Sequence, residues 1–414
     1  MPSTRRQLLA ATGLTLVGGV GAVAATEETI VGERSVAETE SNTSALEWPV
    51  SQYDPAGTGY NPDASGPTED VRVAWSHEST DWFRGAAPPI RLEDTIYAVG
   101  EGLLALEADT GERRFARRGP YTSSPARVSA SAYRTDALAV TSTAGVFGLG
   151  AGGGIRIPGL GRWFGGQRWE GPGVGFHPSS PEHRPSVDPV AVDGTVYAPI
   201  YGTNDLVALE ANDGTERWRI THHEDDPVGV SYGRPAVRDD TLYVANWPHQ
   251  VTAYDRDDGS MRWQRERDDQ MQLCSVPTDE GVVVTSRNGI ALLDLENGET
   301  IWHRDLDGNA VEGTAAVADG TIYASDGRET FYALALETGE ELWSAPFERE
   351  TEPVVADGMV YAVEEDRALI GFDAETGDER FRYEPSQVPL SPPIVGDGML
   401  YAVNRRRVIA LEEA

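Results

Sequence analysis

Few residues in this sequence have side chains that could carry chemistry, and most of them fall in two stretches. Residues 161–185, GRWFGGQRWEGPGVGFHPSSPEHRP, hold Trp163, Trp169, His177 and His183, and residues 220–234, ITHHEDDPVGVSYGR, hold His222, His223, Asp225 and Asp226. Imidazole together with carboxylate suits zinc, copper or iron. A second set recurs at intervals along the chain: Arg84, Arg184, Arg234, Gln272, Glu312 and Glu352. Guanidinium pairs bidentately with carboxylate, so this set could seat an anionic cofactor, or its members could pair with one another. Other chemistries lack their residues. The sequence contains no lysine, which removes a Schiff base. GAGGG at 150–154 lacks the lysine and following helix of a phosphate loop. Cys274 is the only cysteine, so an intramolecular disulfide and a multi-cysteine metal site are excluded.

The elements that carry these residues are written as a repeat. ALEADTGERRFAR at 105–117 returns as ALEANDGTERWRI at 208–220, AYDRDDGSMRWQR at 253–265, LLDLENGETIWHR at 292–304, ALALETGEELWSA at 333–345 and GFDAETGDERFRY at 371–383. Four residues after the turn glycine stands an aromatic: Phe115, Trp218, Trp263, Trp302, Trp343 and Phe381. A second signal of the DGTVYA kind places Tyr97, Tyr197, Tyr243, Tyr323, Tyr361 and Tyr401 in one slot, with Val284 and the degenerate Ala139 in the same slot. In the degenerate unit Ile157, four residues after Gly153, takes the aromatic's place. These slots define eight units of about 38 to 46 residues, one stretched to 58. Each unit holds four strand-like runs separated by Asp-Gly turns, which is one propeller blade. The eighth unit ends at VIALEEA without its aromatic strand, and VRVAWSHES with Trp75 supplies that strand from the front. The expected fold is all-β: an eight-bladed propeller of four-stranded antiparallel blades closed by an N-terminal strand, leaving no open sheet edge at the seam. The aromatics then read as inter-blade packing and the Asp-Gly turns as turns, since DRDDG at 255–259 lacks the distal glutamate of a calcium hand.

Net charge is −33, with 67 acids against 34 basic residues, all arginine. The acids are spread along the chain, a pattern that suits solubility in molar salt. With no basic stripe to neutralise phosphates, nucleic acid is not an expected partner. Arg5-Arg6 followed by an uncharged run from Leu8 to Ala25 reads as a twin-arginine export signal or anchor over residues 1–25. Residues 26–47 read as a flexible acidic spacer rich in Ser and Thr, with Asn42 in a sequon, and 48–414 as the propeller, with an insertion at 158–186.

The eight-fold A-x-D/E-x-x-T/D-G-x-x-x-W phrase, with closure from the front and WPVSQYDPAGTGYNP at 48–62 before the first blade, resembles the pyrroloquinoline-quinone-type propeller repeat. The resemblance implies the propeller over 48–414 and admits two functions. One branch consists of quinone-dependent dehydrogenases, the other of non-catalytic scaffolds such as that of outer-membrane assembly. The enzymes of the family carry adjacent cysteines, a calcium site and often a haem domain. This chain has one cysteine and no Cys-x-x-Cys-His, so no catalytic residue is carried over.

Inner-to-outer strand order would put all Asp-Gly turns on one face and the variable loops on the other. All seven histidines, His77, His249 and His303 included, are expected on that loop face. The loop face with Trp163, Trp169, His177, His183, His222 and His223 is expected to bind a protein or glycan. The Arg84, Arg184, Arg234, Gln272, Glu312 and Glu352 ring is expected at the channel mouth as the cofactor-binding candidate. The resulting expectation is an exported, cell-surface, monomeric binding or scaffold protein without a cofactor. Its alternative is an oxidoreductase dependent on a metal or on pyrroloquinoline quinone with calcium.

Overall fold

The computed structural model describes residues 47–79, 87–100, 102–156, 163–164, 166–173, 186–221, 231–247, 250–266, 274–286, 288–308, 313–349 and 351–414. The chain divides into Met1–Glu40 and Ser41–Ala414, and the first unit lies outside the described residues, as do the export signal and most of the spacer.

The described residues form eight antiparallel four-stranded blades, seven with their strands in sequence order across the sheet and the eighth with the N-terminal strand outermost. Blade 1 is Ile90–Leu92, Thr95–Gly100, Gly102–Glu107 and Arg113–Arg118. Blade 8 is Ile394–Gly396, Met399–Val403 and Arg407–Glu413, completed by Val71–Glu78, which pairs antiparallel with Arg407–Glu413. The N-terminal strand therefore closes the ring, as expected. Blade 4 carries an extra short strand, Ser231–Tyr232, beside Thr241–Trp247.

Burial along each blade explains its sequence. The middle strands are apolar on successive residues rather than alternating; Val282–Ser286, for example, is buried throughout. Both faces of a blade are covered by its neighbours, so both side-chain sets lie in core. Outer strands are exposed on most residues and bury chiefly the aromatic, as in Arg113–Arg118. Separate apolar clusters join blade 1 to 2, 2 to 3, 3 to 4, 4 to 5, 5 to 6 and 6 to 7, and one larger cluster joins blades 7, 8 and 1. The turn between first and second strands puts Asp193 at φ 47° and Gly194 at φ 75°, the two-residue mirror-image turn that suits the twist of a hairpin.

One expectation is corrected in blade 2. Its strands are Ala126–Val128, Ala137–Ser142, Gly145–Gly150 and Gln167–Glu170, with a small hairpin, Ile155–Arg156 paired to Trp163–Phe164, inserted before the last. Trp169, rather than Ile157, is the aromatic of this blade. The insertion displaces it along the sequence, but its indole still packs on the next blade.

The packing rule is uniform. A Cβ added to Gly214 of blade 3 would lie 2.7 Å from Trp169, and Gly111, Gly153, Gly259, Gly298, Gly339 and Gly377 meet the aromatic of the preceding blade in the same way. Each of these glycines also has φ between 68° and 76°, so the position excludes a side chain twice over. The indole N–H of Trp75, Trp169, Trp218, Trp263, Trp302 and Trp343 donates to Ala108, Ala211, Arg256, Leu295, Leu336 and Ala374, each three residues before that glycine. Blades 1 and 7 have phenylalanine, which cannot donate. There a tyrosine hydroxyl of the same blade crosses instead, Tyr97 to the Ala151 carbonyl and Tyr361 to that of Pro67.

Candidate functional site

The lumen of the ring is crossed by residues 48–66. The middle residue of a three-residue inner strand donates its N–H to this segment in four blades: Arg127 to Pro49 (2.9 Å), Val237 to Pro55 (2.9 Å), Val317 to Thr58 (2.8 Å) and Val355 to Gly59 (2.7 Å). In blade 1 Arg91 and Trp48 exchange both backbone bonds, and in blade 8 the turn N–H of Gly398 reaches Ser65. An inner strand has one edge without a partner in its own sheet; this segment satisfies those lumen-facing N–H groups. Its bend is set by Asp54, whose carboxylate accepts from the N–H of Gly57 (2.6 Å), the N–H of Thr58 (3.0 Å) and the Thr58 hydroxyl (2.6 Å).

Around this segment stands a polar ring, set where the inner strands begin. It comprises Ser124 of blade 2, Asp188 of blade 3, Arg234 of blade 4, Cys274 of blade 5, Thr314 of blade 6 and Glu352 of blade 7. Arg234 Nη2 donates to the Asp54 carbonyl (2.8 Å), and its Nη1 fills the space that a Cβ on Gly57 would need. Gln52 Nε2 donates to Glu352 Oε2 (3.4 Å), and Asp188 accepts from the Ser124 N–H (2.8 Å). Arg234 thus faces Asp54, Asp188, Glu352 and Cys274 together.

The electrostatics follow from three carboxyl groups around one guanidinium. Burial, reinforced by Asp188 and opposed by Arg234 and Gln52, pushes the Glu352 carboxyl up to about 7. Burial also raises Asp188 and Asp54, against hydrogen bonds from Ser124 and Thr58. Burial, then Glu352, pushes the Cys274 thiol up to about 12, so it is neither thiolate nor nucleophile at neutral pH. Asp54, Asp188, Arg234, Cys274 and Glu352 are half-buried, whereas Ser124 and Thr314 are buried.

Of the six ring residues read from sequence, the structure brings Arg234 and Glu352 together; Arg84, Arg184, Gln272 and Glu312 lie outside the described residues. Asp188, Cys274, Ser124 and Thr314 were missed. The signal was available, because each stands one or two residues before an inner strand. His177, His183, His222, His223 and His249 also lie outside the described residues, and Trp163 is described only as backbone in its hairpin. Trp169, expected as a loop-face binding residue, is 6% exposed and is the inter-blade wedge already described. His303 does lie at a loop-face turn, beside Gly289. His77 stands at the corresponding end of the outer strand of blade 8, opposite Val408, and its Nδ1 is 2.9 Å from the Gly111 carbonyl of blade 1, which requires the proton on Nδ1. Among the described residues no group of three or more His, Cys, Asp and Glu is placed to hold a metal, and no helix is long and apolar enough to cross a membrane.

A closed ring of eight four-stranded blades, with one tryptophan-type wedge per blade and a front strand completing the last, defines a propeller of the pyrroloquinoline-quinone-like class. The family model described as outer membrane protein assembly factor BamB matches residues 156–285 and again 286–414, more than half of the sequence, and the chain belongs to that PQQ-like propeller family. A curated BamB from Yersinia pestis is 28% identical over 171 residues, 38% of this chain. The chain spans 42% of the length of that relative. The crystal structure of BamB from Moraxella catarrhalis superposes with TM-score 0.61 at 14% identity, over 83% of this chain and 99% of that one. The quinohemoprotein alcohol dehydrogenase of Comamonas testosteroni gives TM-score 0.65 at 13% identity, over 90% and 82% of the respective chains. A europium-containing methanol dehydrogenase gives 0.65 at 12%, over 89% and 98%. At these identities the structural likenesses speak for the fold alone.

Proposed function

We propose that this chain is a non-catalytic binding propeller that presents its loop face to a protein partner after export, in the manner of an assembly scaffold at the cell envelope. The observation that carries this reading is the use made of the channel mouth. Arg234 and Glu352, the described members of the ring that would receive an anionic quinone, are engaged by the protein's own segment through the Asp54 carbonyl and Gln52. An anionic quinone would also meet three carboxyl groups, Asp54, Asp188 and Glu352, around one guanidinium. The residues described there do not fit such a group, and no reaction step is derived through it. Membership of a family described by an outer-membrane assembly factor supports the same reading, and the twin-arginine pattern of residues 1–25 supports export.

Site-directed photo-crosslinking in the producing cells tests this. Crosslinkers at Asp307 and Arg328, on loop-face connections, are expected to capture one envelope protein, and crosslinkers at Asp213 and Glu375, on Asp-Gly turns, to capture none of it. Equal capture from both faces would overturn the loop-face assignment.

A further inference from the structure

The expectation of an evenly acidic chain without a basic stripe fails in one sector. From 113 to 169 there are nine arginines and a single acid, Asp136, in a chain whose net charge is −33. The described residues of this run lie in the outer strand of blade 1 and in blade 2. Elsewhere the protein neutralises its rim. Every arginine on the outer strands of blades 3 to 8 has a carboxylate within ion-pair distance, Arg217 with Glu210 and Arg382 with Glu364 for instance. On blades 1 and 2, Arg114 has such a partner in Asp94, whereas Arg113, Arg117, Arg118 and Arg168 have none among the described residues.

Two of these guanidinium groups are held in place with a donor to spare. Arg117 Nη1 donates to the Gly166 carbonyl (2.6 Å), and its Nη2 is buried without a partner. Arg168 stacks 4.0 Å over the Tyr133 ring while its Nη2 donates to Thr135, and its Nη1 is likewise unpartnered. Charged residues on a sheet edge ordinarily discourage edge-to-edge pairing. Here the charge has one sign, and Arg113–Arg118 is the outermost strand of its sheet, with one backbone edge unused by that sheet.

We propose that this edge docks an extended, carboxylate-rich segment of a partner polypeptide. The segment would add to the open edge of blade 1 through backbone hydrogen bonds, its carboxylates would be read by the exposed Arg113 and Arg118, and the fixed charges of Arg117 and Arg168 would add to the attraction. A free backbone edge with Arg113 and Arg118 on one face of its strand and Arg117 on the other suits a polypeptide; a lipid surface uses the charges but not the edge. The edge runs from the Asp-Gly turn face to Arg118, opposite Gly102 at the loop face, and its test reads peptide binding directly, whether or not the scaffold reading holds.

The test is fluorescence anisotropy of a labelled alternating Glu-Thr peptide with the full chain, at the lowest potassium chloride that preserves its circular dichroism. Binding is expected to weaken about tenfold or more in Arg113→Gln/Arg118→Gln, whose altered side chains are exposed, and again in Arg168→Gln. The paired Arg217→Gln/Arg219→Gln variant is expected to bind as the parent does. Absence of peptide binding, or equal loss in the control variant, overturns the proposal. So does capture of phosphatidylglycerol vesicles or single-stranded DNA by the same arginines in place of the peptide.

Discussion

Glycine and the aromatic it receives are the residue-scale unit of this fold. Gly214→Ala would place a methyl 2.7 Å from Trp169 at φ 72°, and a loss of about 3 kcal/mol is expected in chemical denaturation. Trp169→Ala is expected to cost about 3–5 kcal/mol, as a buried wedge does, where an exposed binding aromatic would cost under about 0.5 kcal/mol. The tyrosines separate more finely. Tyr97→Phe removes the hydrogen bond that stands in for an indole and is expected to cost about 1 kcal/mol. Tyr197→Phe is expected to cost less, because Trp218 donates to the same Arg256 carbonyl. Glu352 gives a pH signature. Its carboxyl is raised from 4.5 to about 7 in the folded protein, so the folded state holds its proton more tightly. The stability this provides is fully present below pH 4.5 and is lost as pH rises through about 7. Glu352→Gln should therefore flatten the melting temperature across that window and raise it by a few degrees relative to the parent above it. An unchanged profile would remove Glu352 as a source of the dependence. At this scale the wedges were legible because turn glycine and aromatic are four residues apart. In blade 2 the two are 16 residues apart, Gly153 to Trp169, and the rule pointed to Ile157.

Among the elements, the segment 48–66 departs furthest from what the repeat spells. It has no repeat signature, and its partners are inner strands from Arg91 to Val355, so no local spacing could disclose that it crosses the lumen. The mouth ring was half legible for a related reason. Its position relative to the inner strand is regular, but the residue there differs in every blade, and a search for arginine and acid passes over Ser124, Cys274 and Thr314. The segment gives an element-scale prediction. Asp54→Ala removes the acceptor of three hydrogen bonds that bend the segment. Amide exchange should then accelerate at Val237 and Val317, which bond to Pro55 and Thr58, while amides in the middle strands keep their protection. Exchange unchanged at both valines would mean that the segment does not hold the inner edge in solution.

Across the whole molecule, blade number, strand order and closure were legible because each blade must carry its own turn and wedge, and eight such sets cannot be hidden. Charge was legible as a total and misleading as an average: −33 concealed the arginine-rich sector of blades 1 and 2, which a window along the sequence would have found. The proposed function rests on what the repeat leaves free, the loop face. The central claim is that the protein's own segment engages the mouth, so that the mouth takes no redox cofactor and binding falls to the loop face. Its most direct test is a titration of the purified chain with pyrroloquinoline quinone and calcium in molar potassium chloride, followed by tryptophan fluorescence. A trace that stays flat through several equivalents is the predicted result. Saturable quenching near one equivalent, lost in Arg234→Gln, would contradict the account.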